Sequence, residues 1–267
     1  MPLIQDILTD LEQQIPLDLA ESWDNVGLLL GDASGEAKGL MTCLTLTEEV
    51  AEEAIREGAN LVVTHHPILF KAVKRLTTQT SEGRMLLRLA QSGVSVYSPH
   101  TAFDSAREGI NQQIAEALSL REIQPIRRRP QSTDGAGRWG QLVFPLPLSE
   151  LMGRLQEVCP AEQFTFVGEP DRRCASVAIA CGAAGDFLTD AAALGCDVFL
   201  TGETRFHTCL EARSLGVALV MVGHYASERP AIEQLALMLS ARWNPLRVWA
   251  SQVETDPVRF SPPLTVE

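Results

Sequence analysis

The sequence predicts an α/β protein built from two related α/β domains with mainly parallel or mixed sheets. Short apolar runs alternate with amphipathic segments of helical spacing along most of the chain, which favours strands alternating with helices. Residues 54–66 can be laid over residues 191–203 without a gap, which suggests two related halves. A stretch rich in proline and glycine, residues 121–138, lies between them and is predicted to be a linker.

The first half begins with apolar positions spaced by three and four, which predict a helix at residues 2–14. Gly58 and Gly93 follow two further helical segments, where a glycine can end a helix. The remaining predicted elements of this half are a strand at 41–46, a helix at 48–57, strands at 61–64 and 94–97, a helix at 84–91, and a helix marked by Ile110, Ile114 and Leu118.

The second half resumes the same alternation. Its predicted strands are 141–144, 164–167, 177–181, 197–200 and 217–222, and its predicted helices are 148–158, 186–194 and 231–240. From about Thr255 the chain is rich in proline, and we expect the tail to fray. We predict a first domain of residues 1–126 plus about 223–267, and a second of residues 127–222.

Composition excludes several classes of protein. The 267 residues are 45% hydrophobic and 21% charged, and no apolar run approaches the length that spans a bilayer. The N-terminus lacks a basic segment before an apolar one, so we expect a cytoplasmic protein. The net charge of −12 argues against binding to nucleic acid or to an anionic membrane, and we interpret the basic residues 127–129 as a solvated linker. The six cysteines include no C-x-x-C pair, which argues against a zinc ribbon or a disulfide framework.

Four of the five histidines lie in three short segments. His65 and His66 end an apolar run, His100 precedes Asp104 by four residues, and His224 precedes Glu228 by four. In the two overlaid halves, both carboxylates follow a strand by similar intervals. We expect them in strand-to-helix loops, close to helix starts, at the carboxyl ends of strands where α/β proteins bind ligands.

The adjacent histidines favour two metal ions over one. Side chains of successive strand residues point to opposite faces, and Pro67 keeps His66 extended, so His65 and His66 cannot easily chelate the same ion. Paired ions usually share a bridging carboxylate, for which Asp104 and Glu228 are available. Imidazole and carboxylate ligands suit zinc, iron(II), manganese or nickel better than calcium. On the residues alone, His100 can be a ligand, an acid–base group or a structural donor.

Five segments carry a resemblance to a known family. They are Glu21-Ser22-Trp23-Asp24-Asn25-Val26-Gly27-Leu28, Thr64-His65-His66-Pro67, Ser98-Pro99-His100-Thr101-Ala102-Phe103-Asp104, Thr201-Gly202-Glu203 and Gly223-His224-Tyr225-Ala226-Ser227-Glu228. In this order they resemble the Nif-three-like (NGG-interacting-factor-three-like) family, whose members are often described as GTP cyclohydrolase I type 2 homologues or dinuclear metal-centre proteins. Phe103 departs from the smaller residue of many relatives, which concerns the shape of the site.

The resemblance implies more than the residues alone. It places two metal ions in a cleft between two facing α/β domains, and it implies a hexamer built as a trimer of dimers around an internal cavity. The inserted middle domain of longer relatives is missing here. The metal ligands that it implies are His65, His66, Asp104, His224 and Glu228.

The leading functional hypothesis is a metal-dependent hydrolase in which two ions lower the pKa of a bridging water and so produce hydroxide. The resemblance implies GTP or a related heterocycle as substrate, although the sequence lacks both a P-loop lysine motif and G-x-G-x-x-G. His100 and Glu203 are the candidates for proton transfer or for orienting ligands. For Trp23-Asp24-Asn25 we expect loop structure rather than chemistry.

The alternative hypothesis is a non-catalytic protein that binds or delivers metal ions, or a ring-shaped interaction scaffold. An enzyme requires an open coordination position and further polar groups in a pocket, whereas a carrier requires exchangeable metal. A nucleic-acid regulator is disfavoured by the negative charge.

Overall fold

The computed structural model describes residues 1–129 and 134–261. Its strands within these ranges are β1 (Gly27–Leu30), β2 (Leu40–Cys43), β3 (Leu61–Thr64), β4 (Ser95–Ser98), β5 (Arg121–Gln124), β6 (Arg127–Arg128), β7 (Gly135–Ala136), β8 (Arg138–Pro147), β9 (Thr165–Val167), β10 (Arg173–Ala180), β11 (Val198–Thr201), β12 (Ala218–Met221) and β13 (Val248–Ala250). The α-helices are α1 (Ile4–Gln14), α2 (Glu48–Arg56), α3 (Ser81–Gln91), α4 (His100–Ser105), α5 (Ile110–Ala117), α6 (Leu148–Val158), α7 (Leu188–Ala193), α8 (Phe206–Leu215) and α9 (His224–Arg242).

The first sheet has the strand order β1-β4-β3-β2-β13. Strands β4, β3, β2 and β13 are parallel, and β1 joins the edge antiparallel to β4. All four residues of β3 are buried, as expected for the central strand of a sheet covered on both faces. Val62 packs with residues of α2 and α3 on one face, whereas Leu61 and Val63 belong to the core that contains α1 on the other.

The second sheet has the order β5-β8-β10-β11-β12-β9. Strands β10, β11 and β12 are parallel, and β5, β8 and β9 pair antiparallel with their neighbours. Helices α7 and α8 cover one face through Leu188, Ala191 and Ala212. The other face shares its core with the first sheet, since Val63 and Leu200 belong to the same cluster of buried residues. Two mixed sheets joined by helices confirm the predicted α/β class; the predicted domain boundaries stay a prediction.

The region predicted to be a linker is mostly strand in its described part. Strand β5 pairs with β8, and β6 pairs with β7. The guanidinium of Arg127 stacks over Phe187 at 3.9 Å and donates to Asp190 at 2.7 Å and to Asp186 at 3.1 Å. The prediction of a linker was therefore wrong for these residues, because glycine and proline here punctuate very short strands. Of the basic cluster, Arg127 is held by side chains and Arg128 is exposed. Residues 130–133 lie outside the described residues.

Several elements escaped prediction. Strands β1 and β13 and helices α4 and α8 are short or lack a clear apolar period. Helix α9 begins at His224 rather than after Pro230, which lies inside it. The helix continues past this proline because its following residues, Ala231, Ile232 and Leu235, are buried in the core.

The predicted tail, from about Thr255, forms neither helix nor strand up to residue 261, and residues 262–267 lie outside the described residues. In residues 1–129 and 134–261, no helix combines the length and apolar composition needed to cross a membrane.

Candidate metal centre

His65 and His66 follow the carboxyl end of β3 and continue its pairing with the neighbouring strand. The His65 N–H donates to the carbonyl of Cys43 and the His66 N–H to that of Leu44. Both residues lie in a bend, their ring centroids are 5.2 Å apart, and both rings belong to one trio with His100, so the expected divergence of the two side chains is not seen. The side chain of His65 is 1% exposed and that of His66 is 26% exposed. The pair thus presents one buried and one accessible imidazole to the same region.

The two carboxylates stand on helices. Asp104 is the fifth residue of α4, whose first residue is His100, and Glu228 is the fifth of α9, whose first is His224. Residues four apart lie on one face of a helix, so each carboxylate lies beside its histidine. The expectation that these carboxylates lie in strand-to-helix loops was wrong, because both helices begin directly at the histidine.

All five residues predicted as metal ligands come together, and Glu228 lies at their centre. Its Oε1 is 3.9 Å from Nε2 of His65, and its Oε2 is 3.1 Å from Nε2 of His66 and 3.2 Å from Nε2 of His224. Asp104 Oδ1 lies 3.6 Å from His65 Nε2. Two trios that can hold a cation share the carboxylate of Glu228: one with His65 and Asp104, the other with His66 and His224.

The residues present fit a cation. Both ring nitrogens of His65 are buried and lack a hydrogen-bond partner among the described residues. Buried polar atoms are rarely unpartnered, so such an atom requires an explanation. The Nε2 atoms of His66 and His224 lie 3.2 Å apart and face the same carboxylate oxygen. Imidazole nitrogens and carboxylate oxygens converging in this way form a typical donor set for zinc, iron or manganese.

Protonation of the metal-free protein shows how tightly these groups interact. Burial, and then repulsion by Glu228, raise the pKa of Asp104 to about 7. Burial also opposes ionisation of Glu228, but hydrogen bonding from His224 and the charges of nearby histidines outweigh it and lower the pKa of Glu228. Hydrogen bonding to Glu228 raises the pKa of His224 to about 9, whereas burial lowers that of His65. Protons on His224 and Asp104 thus balance the buried negative charge.

Two hydrogen bonds orient the histidines from behind. Glu203 Oε1 accepts from Nδ1 of His224 at 2.9 Å, and Thr45 Oγ1 lies 2.7 Å from Nδ1 of His66. Each bond engages Nδ1 and leaves Nε2 facing Glu228, the arrangement in which a partner fixes the tautomer of a metal-binding histidine. Glu203, predicted for proton transfer or orientation, is placed here as the partner of His224. Thr45 was missed, although it follows β2 at the same sheet edge as His66.

His100 has a partner that the sequence reasoning assigned to loop structure. Asp24 Oδ1 accepts from His100 Nδ1 at 2.8 Å, and Asp24 also accepts from the backbone N–H and the hydroxyl of Thr101. Burial opposes its ionisation, but the bonds from His100 and Thr101 prevail and lower the pKa of Asp24 to about 2. His100 also forms a third trio with His65 and His66, which contains no carboxylate. The structure thus places His100 beside the ligands and holds it from behind by an ionised carboxylate.

Residues after β10 complete the wall of the site. The thiol of Cys181 lies 3.2 Å from Asp104 Oδ1. Gly182 has a φ of +65°, and a Cβ there would lie 2.4 Å from Oε1 of Glu228. Only glycine permits this backbone at this distance from the carboxylate. Neither Cys181 nor Gly182 was predicted from the sequence.

A cavity of about 290 Å³ opens directly over the cluster. Its lining includes His66, His100, Asp104, His224 and Glu228. A larger groove, of about 740 Å³, runs between α1, α5, α6 and α9, but its lining contains no histidine or cysteine. The smaller cavity is therefore the candidate site, because the polar groups with shifted pKa values converge there.

Comparisons with known proteins agree over nearly the whole chain. A family model described as Duf34/NIF3 (NGG1p interacting factor 3) matches residues 2–257. A Streptomyces coelicolor protein named GTP cyclohydrolase 1 type 2 homolog is 33% identical over 269 residues, covering 96% of this chain and 94% of that protein. A Clostridium acetobutylicum protein of the same name is 29% identical over 263 residues, covering 96% and 98%. The crystal structure of a hypothetical protein from Staphylococcus aureus superposes with a TM-score of 0.88 at 28% identity, covering 97% of this chain and 99% of that one.

Proposed function

The chain belongs to the Duf34/NIF3 family, and from that premise we propose that it is a dinuclear metal-dependent hydrolase that acts on GTP or a related heterocycle. The observation that carries the proposal is the shared carboxylate of Glu228, which faces His65 with one oxygen and both His66 and His224 with the other. A carboxylate between two donor sets is typical of paired metal ions. The names of the relatives support a heterocyclic substrate.

The ligand residues divide into two groups. His65 and Asp104 would hold one ion, His66 and His224 the other, and Glu228 both. Two divalent ions bound there supply Lewis-acid activation of water and of the bond that is hydrolysed. Glu203 and Thr45 engage Nδ1 of His224 and of His66, which leaves Nε2 of each ring facing Glu228, where it could bind an ion.

His100 is the residue that moves a proton in this proposal. Because the ionised carboxylate of Asp24 accepts from Nδ1, the proton of the neutral ring stays on Nδ1, and Nε2 is left as the basic atom. The side chain of His100 lines the cavity next to His66 and Asp104. Nε2 can therefore take a proton from the attacking water and return it to the leaving group.

Asp24→Asn tests this proton transfer. The amide cannot act as an ionised acceptor, so the preference for a proton on Nδ1 of His100 is lost, and we expect turnover to fall by about 100- to 10,000-fold. Metal content should stay unchanged, since Asp24 contacts none of the five ligands by hydrogen bond. Nitrogen-15 NMR of the histidine rings reports the change of tautomer independently of turnover. Asp32→Asn, an exposed carboxylate after β1, is the control, and unaltered tautomer and turnover in Asp24→Asn would contradict the role of Asp24.

Glu228→Gln tests the metal centre itself. The change keeps the size of a side chain that is 3% exposed but removes the charge shared by both trios. We expect affinity for both ions to fall by at least about 100-fold, since even partners behind the ligands are worth about 10- to 100-fold. Elemental analysis and titration calorimetry with Mn²⁺ measure this loss. Glu233→Gln, on an exposed side chain of the same helix, is the matched control. Full metal content in Glu228→Gln would overturn the proposal.

A turnover screen separates the hydrolase from the alternative, a metal-delivery protein or scaffold. GTP, phosphodiesters and cyclic amides are incubated with protein loaded with manganese, zinc or iron. Turnover that disappears in Glu228→Gln supports the hydrolase. Release of metal to a chelator without turnover of any substrate favours delivery. A hexamer built as a trimer of dimers and a cytoplasmic location stay predictions, to be checked by light scattering and by fractionation.

A further inference from the structure

Trp23 is unusually exposed and lies at the mouth of the cavity. Its side chain is 60% exposed, whereas Trp139, Trp243 and Trp249 are all partly buried. Tryptophan is highly buried on average, because its large ring gains much from leaving water. Trp23 lines the same cavity as His66 and His100. An exposed indole beside a cluster of polar groups requires a reason other than core packing.

Phe70 extends this aromatic surface. Its ring centroid lies 6.0 Å from that of Trp23 and 6.2 Å from that of His100, with nearly perpendicular planes, and its side chain is 47% exposed. The centroids of Trp23 and His100 are 6.3 Å apart. Two large exposed rings therefore form a wall that ends at the histidine proposed to move the proton.

The wall is held in place by the residues that follow Trp23. Asp24 accepts from Thr101 and His100, and the side-chain amide of Asn25 donates to the carbonyl of Leu69 at 3.0 Å. The second bond ties the loop of Trp23 to the residue that precedes Phe70. Because both loops are fixed by hydrogen bonds, the aromatic wall exists before any ligand arrives, which reduces the entropy lost on binding.

We propose that Trp23 and Phe70 bind a planar aromatic ring of the substrate and hold it beside the metal centre. The ring class rests on these two residues and the reaction rests on the proposed function. Stacking suits a flat heterocycle, since every nucleobase has a π-face. Aromatic side chains bind such faces whichever base presents them. The cavity of about 290 Å³ is concave and of small-molecule size, whereas a protein partner would need a broad surface of roughly 800 Å².

The test compares a ligand with and without its ring. GMP and ribose 5-phosphate carry the same phosphate, so only the base distinguishes them. With manganese-loaded protein, we expect GMP to bind saturably and to quench the emission of Trp23, and ribose 5-phosphate to bind at least about 10-fold more weakly. By calorimetry, Trp23→Leu should weaken GMP binding by about 10- to 100-fold, whereas Trp23→Phe, which keeps a ring, should stay within about 5-fold of the wild type.

Phe206→Leu is the matched control, since Phe206 is an aromatic side chain that is 71% exposed on α8 and does not line the cavity. Metal content is measured in every variant and should not change. The proposal is overturned if Trp23→Leu binds GMP like the wild type, if GMP, UMP and nicotinamide mononucleotide all fail to bind, or if the variant changes only the oligomeric state. Persistence of both ions in Glu228→Gln would instead refute the metal-dependent function and leave a Trp23-dependent affinity for GMP standing.

Discussion

Replacing both His65 and His66 by alanine is expected to remove all tightly bound metal. In the two trios that contain Glu228, His65 stands with Asp104 and His66 with His224, whereas the third trio joins both histidines with His100 and has no carboxylate. Loss of one histidine leaves a trio with two ligands, and loss of both leaves neither trio complete. We therefore expect about two ions per chain in the wild type, about one in His65→Ala, about one in His66→Ala and none in the double variant.

Elemental analysis after gel filtration measures these ratios. His207→Ala is the control, because His207 is exposed and is the one histidine of the five that lies outside all three trios. His65 is buried beside Phe103, with ring centroids 6.3 Å apart, so its replacement by alanine leaves a cavity and reduces stability. His65→Gln keeps most of the volume, and circular dichroism confirms folding. If either single variant loses both ions, or the double variant keeps one, the division into two trios is wrong.

The sequence predicted much of this arrangement because the chemistry lies at the carboxyl ends of strands. The overlaid segments, residues 54–66 and 191–203, both form a helix, a glycine of positive φ and a central strand. His65 follows β3 as Gly202 follows β11. His100 and His224 likewise each open a helix after the next strand. A repeated order of elements brings residues distant in sequence to one edge, so the residues that converge there could be named as candidate ligands from spacing together with the family resemblance.

The residues that hydrogen-bond to Nδ1 of these histidines could not be named in this way. Asp24 lies 76 residues from His100, and Thr45 lies 21 residues from His66. Neither belongs to a periodic pattern, and a single aspartate or threonine in a loop most often caps or turns the chain. Their roles arise from how loops of different strands pack at one sheet edge, which depends on tertiary contacts. Thr45 and Cys181 could have been suspected, since each follows a strand at the same edge as a ligand.

The linker prediction failed for a related reason. Residues 121–138 contain the proline, glycine and charge that usually mark an exposed connection. In the structure Arg127 is held by Phe187, Asp186 and Asp190, residues about 60 positions further along the chain. Composition alone does not reveal such partners, because an arginine in the sequence can be solvated or can bind two carboxylates.

Metal affinity is expected to rise steeply with pH, in two steps with different onsets. In the metal-free protein the pKa of His224 is about 9 and that of Asp104 about 7, so a proton occupies each of these ligands below those values. An ion in the trio of His66, His224 and Glu228 must displace the proton of His224, and its affinity should fall about 10-fold per pH unit below pH 9. An ion in the trio of His65, Asp104 and Glu228 should lose affinity at the same rate only below pH 7.

The stability of the metal-free protein should change in the opposite direction. Both pKa values are raised above those of the unfolded chain, 6.5 for His224 and 3.8 for Asp104, so the folded state binds these protons more tightly. That stabilisation is complete below the unfolded values and is lost as the pH rises through about 7 for Asp104 and about 9 for His224. The lowered pKa of Glu228 affects the stability of the folded state only at acid pH. The temperature at which chelator-treated protein is half unfolded should therefore decrease from pH 6 to pH 9.

The two trends together give a difference that one pair of experiments can measure. Saturating manganese replaces the protons, so the thermal midpoint of loaded protein should not show this decrease. The difference in thermal midpoint between loaded and metal-free protein should therefore widen from pH 6 to pH 9.

Addition of manganese to weakly buffered protein should release about two protons per chain at pH 6 and about one at pH 8. Proton release that is the same at both pH values would show that Asp104 is already ionised in the metal-free protein, and would contradict the raised pKa of Asp104 on which the second step depends.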